Sequence, residues 1–142
     1  MHQRLRRSRV PAVVVGTSAC VMLLFAPAAS AHPTGAVEVT PGLLGSMSAD
    51  VYAAGCEYQL SVPVDSEDPV QFAEKEGDSA WIDYGDPVDP VDGVATIAWT
   101  PEVMGTYTLD AYQEYGTFSP HTTVEVNMAA VGSGQLCFPM PG

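Results

Sequence analysis

Past Arg9 the sequence is nearly without positive charge. Arg4, Arg6, Arg7 and Arg9 are four of its five basic residues and Lys75 is the fifth, whereas seventeen Asp and Glu lie between Glu38 and Glu125. Binding to a phosphate backbone draws its affinity from several Lys and Arg on one face, so this composition excludes nucleic acid as a partner. Long apolar runs are also scarce. The one present, Val10 to Phe25, has sixteen residues and is broken by Pro11, Gly16, Thr17 and Ser18; a membrane span needs about 20. No nucleophile elbow, zinc-helix motif or phosphate loop occurs, and the chain is read as non-enzymatic with no cofactor.

What the first thirty-one residues do contain is the pattern of a secretory signal: a basic stretch from Arg4 to Arg9, the apolar run, then Ala29-Ser30-Ala31 as a small-residue cleavage site. Val21 to Phe25 continue the apolar run past Cys20, which argues against a lipid-bearing cysteine, and Arg6-Arg7 lacks the apolar residues that follow a twin-arginine signal. The expected domains are a signal over 1–31 and one mature domain over 32–142. The mature chain would be secreted, released or retained in the cell envelope, with no membrane insertion after cleavage. It carries one base against seventeen acids, a formal charge of -16. A surface of that sign repels anionic membranes and is stabilised by divalent cations or basic partners.

Only Cys56 and Cys137 remain after cleavage, and two cysteines in a secreted chain pair. The bridge would pin the tail, 131–142. No amphipathic helix is legible, because Pro and Gly recur every few residues and apolar positions alternate with period two. Val37 and Val39 begin a first strand. Cys56, Tyr58, Leu60 and Val62 share a face of a second, Val70 and Phe72 mark a third, and Trp81-Ile82 a short fourth. Ala95, Ile97 and Trp99 define a fifth, Tyr107, Leu109 and Ala111 a sixth, and Val124, Val126 and Met128 a seventh. Asp83 to Gly93 reads as a loop between the fourth and fifth, and Gly132-Ser133-Gly134 as a turn after the last.

Seven short strands in about a hundred residues argue an all-β antiparallel sandwich with one disulfide. Gly93-Val94-Ala95-Thr96-Ile97-Ala98-Trp99-Thr100-Pro101 followed by Gly105-Thr106-Tyr107-Thr108-Leu109 resembles the E-to-F strand passage of bacterial immunoglobulin-like domains of the secreted actinobacterial type. The resemblance implies a seven-stranded immunoglobulin-like sandwich and leaves function open, because that architecture hosts many activities. Three readings follow: a binding or cell-envelope interaction module whose partner is a protein or glycan at the cell surface; a small-molecule carrier, similar in size, acidity and sandwich class to enediyne-binding apoproteins; and a calcium-stabilised adhesion domain.

Three groups of residues are candidate sites. Asp83, Asp86, Asp89 and Asp92 recur every third residue; with Asp65, Glu67 or Asp68 some of them could supply oxygens to calcium, although on a straight polyproline edge they would stand about 9 Å apart. The amine and ring of His32, with the ring of His121, could form a copper-binding pair. Tyr84, Tyr112, Tyr115 and Phe118 could form an aromatic platform for sugars or line a hydrophobic ligand; the parity of Tyr112 against Leu109 and Ala111 turns its ring outward. In so acidic a chain, carboxylate pairs arise by chance and do not by themselves indicate glycoside hydrolysis.

Overall fold

The computed structural model describes residues 32–41, 51–113, 118–133 and 136–140. The expected signal peptide, Cys20, the Arg6-Arg7 pair and Tyr115 lie outside these residues. The described residues form β1 (Glu38–Pro41), β2 (Tyr52–Ala53), β3 (Tyr58–Pro63), β4 (Val70–Glu76), β5 (Ile82–Val88), β6 (Val94–Trp99), β7 (Gly105–Gln113), β8 (Thr122–Ser133) and β9 (Leu136–Met140). One sheet runs β1-β3-β6 and the other β2-β8-β7-β4-β5, with β9 also paired to β8. The described residues are therefore an all-β domain with two sheets.

Alternation decides which side chains meet between the sheets. From the smaller sheet come Tyr58, Leu60 and Val62 of β3 with Ala95 and Trp99 of β6; from the larger come Val70 and Phe72 of β4, Tyr107, Leu109 and Ala111 of β7, and Val124 and Val126 of β8. Trp99 is the largest of the fully buried side chains. Its ring centroid stands 5.9 Å from Tyr58 and 5.4 Å from Tyr107, the latter edge to face, an arrangement that adds about 0.5–1.5 kcal/mol per pair to plain burial. A buried indole N–H needs an acceptor, and Trp99 Nε1 donates to Glu74 Oε2 at 2.6 Å. Burial, the largest cause, raises the Glu74 pKa against the lowering effect of that hydrogen bond, with Glu102 and Glu76 adding repulsion.

Four expectations are corrected. The described residues hold nine strands rather than seven, β2 and β9 being the additions, and β2 runs parallel to β8. Residues 83–88, read as part of a loop, continue from Ile82 as the edge strand β5. The reason is local: Phe72 pairs with Tyr84 but Val70 with Val88, so β5 bulges between them, and Gly85 takes a φ of 67° that other residues rarely adopt. Pro87 is tolerated because an edge strand leaves one side unpaired. The Gln71 amide donates to the carbonyls of Tyr84 and Gly85 at 3.3 and 3.2 Å, satisfying the distorted backbone.

Within the expected tail, β9 (Leu136–Met140) pairs antiparallel with β8. Gly132-Ser133 extends β8 instead of turning, and Cys137 sits in β9 opposite Gly132. Cys56 and Cys137 form a disulfide across a sequence separation of 81, with both residues fully buried. The bridge thus ties the entry to β3 to the ribbon that extends β8.

Candidate functional site

The outward face of the larger sheet carries the polar and aromatic residues that the core cannot use. On it, Asp83 of β5, Ala73 of β4 and Asp110 of β7 are direct cross-strand neighbours. Strands lie about 4.8 Å apart, so the two aspartates flank the alanine with their backbones roughly 10 Å from each other. The small side chain between them leaves a depression, and Trp81, Tyr112, Phe118 and His121 complete the lining of a cleft of about 280 Å³.

Each wall has a physical cause. After β7 the chain folds back over the sheet, and Ser119 N–H donates to the Ala111 carbonyl at 2.8 Å. Asp110, 2% exposed, fastens this return. Its Oδ1 accepts from Ser119 Oγ at 2.7 Å and from Ala111 N–H at 2.8 Å, and its Oδ2 lies 3.2 Å from His121 Nδ1. A carboxylate with these donors can be buried without an unpaired charge.

The rings come in two pairs. Tyr112 and Phe118 have centroids 5.1 Å apart, and Trp81 and His121 5.5 Å apart at an interplanar angle of 30°. Tyr112 Oη donates to Asp83 Oδ1 at 2.9 Å. Burial first, then the bond to Asp83 and its negative charge, raise the Tyr112 pKa, so the phenol keeps its proton and holds the carboxylate in place. Lys75 Nζ stands 5.6 Å from the centroid of Trp81, a cation–π distance. Trp81 is 41% and Phe118 60% exposed, large apolar surfaces that the fold leaves open to solvent.

Ser119, His121 and Asp110 include the residue types of a hydrolytic triad, yet the hydroxyl donates to the carboxylate. An activated serine would instead donate to the imidazole, which then removes its proton. Asp110 therefore organises a turn here, and Ser119 is one of its clasps.

The other candidates are dispersed. Tyr84 lies against the core and its hydroxyl accepts from Thr100 N–H at 3.1 Å, on the far side of the sheet from Tyr112. His32 Nδ1 lies 3.8 Å from Asp65 Oδ2, while His121 engages Asp110, so the two histidines serve different carboxylates. Among the described residues no group of three or more His, Cys, Asp or Glu is arranged to hold a metal ion; the calcium candidates Asp83, Asp86 and Asp89 form no such group. Asp65, Glu67 and Asp92 border a second cleft of about 320 Å³ with Val64, Ser66, Pro90 and Gly93.

Tyr112 and Phe118 are thus the two platform residues that meet. Trp81, Asp110 and Ser119 were missed as site residues. The period-two signal that made Asp110 outward beside Tyr112 was available, but the return of 118–121 onto it was not. Among the described residues no helix is long and apolar enough to cross a membrane. No family model, curated protein or solved structure matches this chain.

Proposed function

We propose that this chain is a secreted, non-enzymatic binding module of immunoglobulin-like arrangement, acting at the cell surface or in the cell envelope through the cleft on its larger sheet. The observation that carries the reading is the exposure of Trp81 and Phe118 around an ordered polar floor. Binding sites of this kind join apolar walls to a few fixed polar groups.

Two features support the immunoglobulin-like part. The division of strands, β1-β3-β6 against a sheet in which β8, β7 and β4 are neighbours, follows the A-B-E and G-F-C partition of that architecture. Tyr107, at the start of β7, donates from its hydroxyl to the Val103 carbonyl at 3.1 Å, the tyrosine-corner contact of such domains. Leu109 stands two residues on, where antibody domains place a cysteine, and Cys56–Cys137 supplies the covalent tie elsewhere.

The cleft of about 280 Å³ suits one ring of a larger surface partner. The test is binding of purified, labelled protein to cell-envelope fragments. Wild type should bind, and Trp81→Ala with Phe118→Ala should bind at least about tenfold more weakly, a loss of about 1.4 kcal/mol or more; equal binding by the double variant would remove the cleft from the account.

A further inference from the structure

We infer that the cleft takes a neutral pyranose ring of a surface glycan, an inference that rests on the cleft being a binding site. The walls suit such a ring. A pyranose has apolar C–H faces and a polar rim of hydroxyls that both donate and accept. The cleft offers rings on two pairs, Trp81–His121 and Tyr112–Phe118, with polar groups of both kinds between and beside them.

The acceptor is Asp83. Tyr112 occupies Oδ1, which fixes the carboxylate and leaves Oδ2 to accept from a sugar hydroxyl. Donors are the Lys75 ammonium beside Trp81 and the Trp81 indole N–H, which no hydrogen bond engages among the described residues. His121 Nε2 adds a polar atom, a donor in the charged ring. Held polar groups need no reordering when the ligand arrives, which lowers the entropic cost of binding.

Charge selects the neutral class. Seventeen acids against the single base of residues 32–142 set up a field that repels uronic or sialic sugars. A cationic ligand meets the opposite obstacle at short range, because Lys75 already holds its ammonium 5.6 Å from the Trp81 ring. An uncharged ring with hydroxyls satisfies both constraints.

The experiment is an NMR titration of the chain 32–142, disulfide intact, with chitotetraose and cellotetraose, and with choline chloride and tetragalacturonate as charged probes. At least one neutral tetrasaccharide should shift the Trp81, Tyr112 and Phe118 resonances with a Kd of about 1 mM or tighter. Trp81→Ala should weaken it at least about tenfold and Trp81→Phe by less than about threefold, with thermal midpoints unchanged. Lys75→Gln should weaken the sugar; strengthening of choline in that variant would mark a cation site instead. If neither neutral sugar shifts the cleft at about 10 mM while a charged probe does, the pyranose assignment falls and the binding cleft stands. If no probe and no envelope fragment shifts it, both fall.

Discussion

The two tryptophans lie on opposite sides of one sheet and differ in everything the fold can set. Trp99 is fully buried, its N–H bonded to Glu74 and its ring packed between Tyr58 and Tyr107. Trp81 is 41% exposed, flanked by His121 and Lys75. β4 separates them residue by residue: Phe72 and Glu74 face the interior, where Glu74 accepts from Trp99, while Ala73 lines the cleft and Lys75 stands beside Trp81. Core packing and the exposed cleft are therefore set on alternate positions of the same strands.

The largest effect belongs to the interior. Replacing Cys56 and Cys137 by Ala opens a loop with a sequence separation of 81, worth about 4–5 kcal/mol in the chain-entropy account; urea denaturation checks it. Trp99→Ala should cost about 3–5 kcal/mol through lost burial and the cavity left behind, while Trp81→Ala should stay within about 0.5 kcal/mol. Comparable losses in the two tryptophan variants would erase the distinction between the faces.

Asp110→Ala tests the cleft from beneath. It strips the carboxylate from Ser119 Oγ and His121 and leaves Ala111 N–H with Ser119 Oγ alone, and should cost about 1–3 kcal/mol while weakening ligand binding more than Lys75→Gln does. Gly85→Ala should cost about 1–2 kcal/mol for a Cβ at positive φ, and the added atom would stand 2.6 Å from Ile97 Cδ1. A fall in the thermal midpoint is the readout.

The smallest effect is a pH slope. The folded state raises the Glu74 pKa above its ordinary value of 4.5, so the folded chain holds that proton more tightly than the unfolded one. Stability from this group is complete below the ordinary value and is lost as pH rises through the raised one. Glu74→Gln keeps an acceptor for Trp99 and removes the charge; its stability should lack that decline, measured by denaturation at successive pH values.

Alternation made the interior legible. Tyr58, Leu60 and Val62, or Tyr107, Leu109 and Ala111, could be placed on one face from sequence because a strand has period two. The disulfide followed from having two cysteines in an expected secreted chain. β5 was not legible, since Gly85 and Pro87 are turn formers whose edge position and bulge depend on β4. β2 is two residues long and owes its existence to β8.

The cleft was half legible for a related reason. Parity turned Tyr112 outward, and Phe118 was near enough in sequence to join it. Trp81 and His121, forty residues apart, meet only because β5 and the segment after β7 border the same pair of strands. Tyr84 misled because its parity, set by β5, sends it to the core and a hydroxyl contact with Thr100.

The most direct test of this division is the pair of indole N–H resonances of the folded protein during titration with a neutral tetrasaccharide. The Trp81 signal should move in a saturable manner while the Trp99 signal stays fixed. A moving Trp99 signal with a still Trp81, or two signals that shift together, would contradict an outer face that binds and an inner face that only holds the fold.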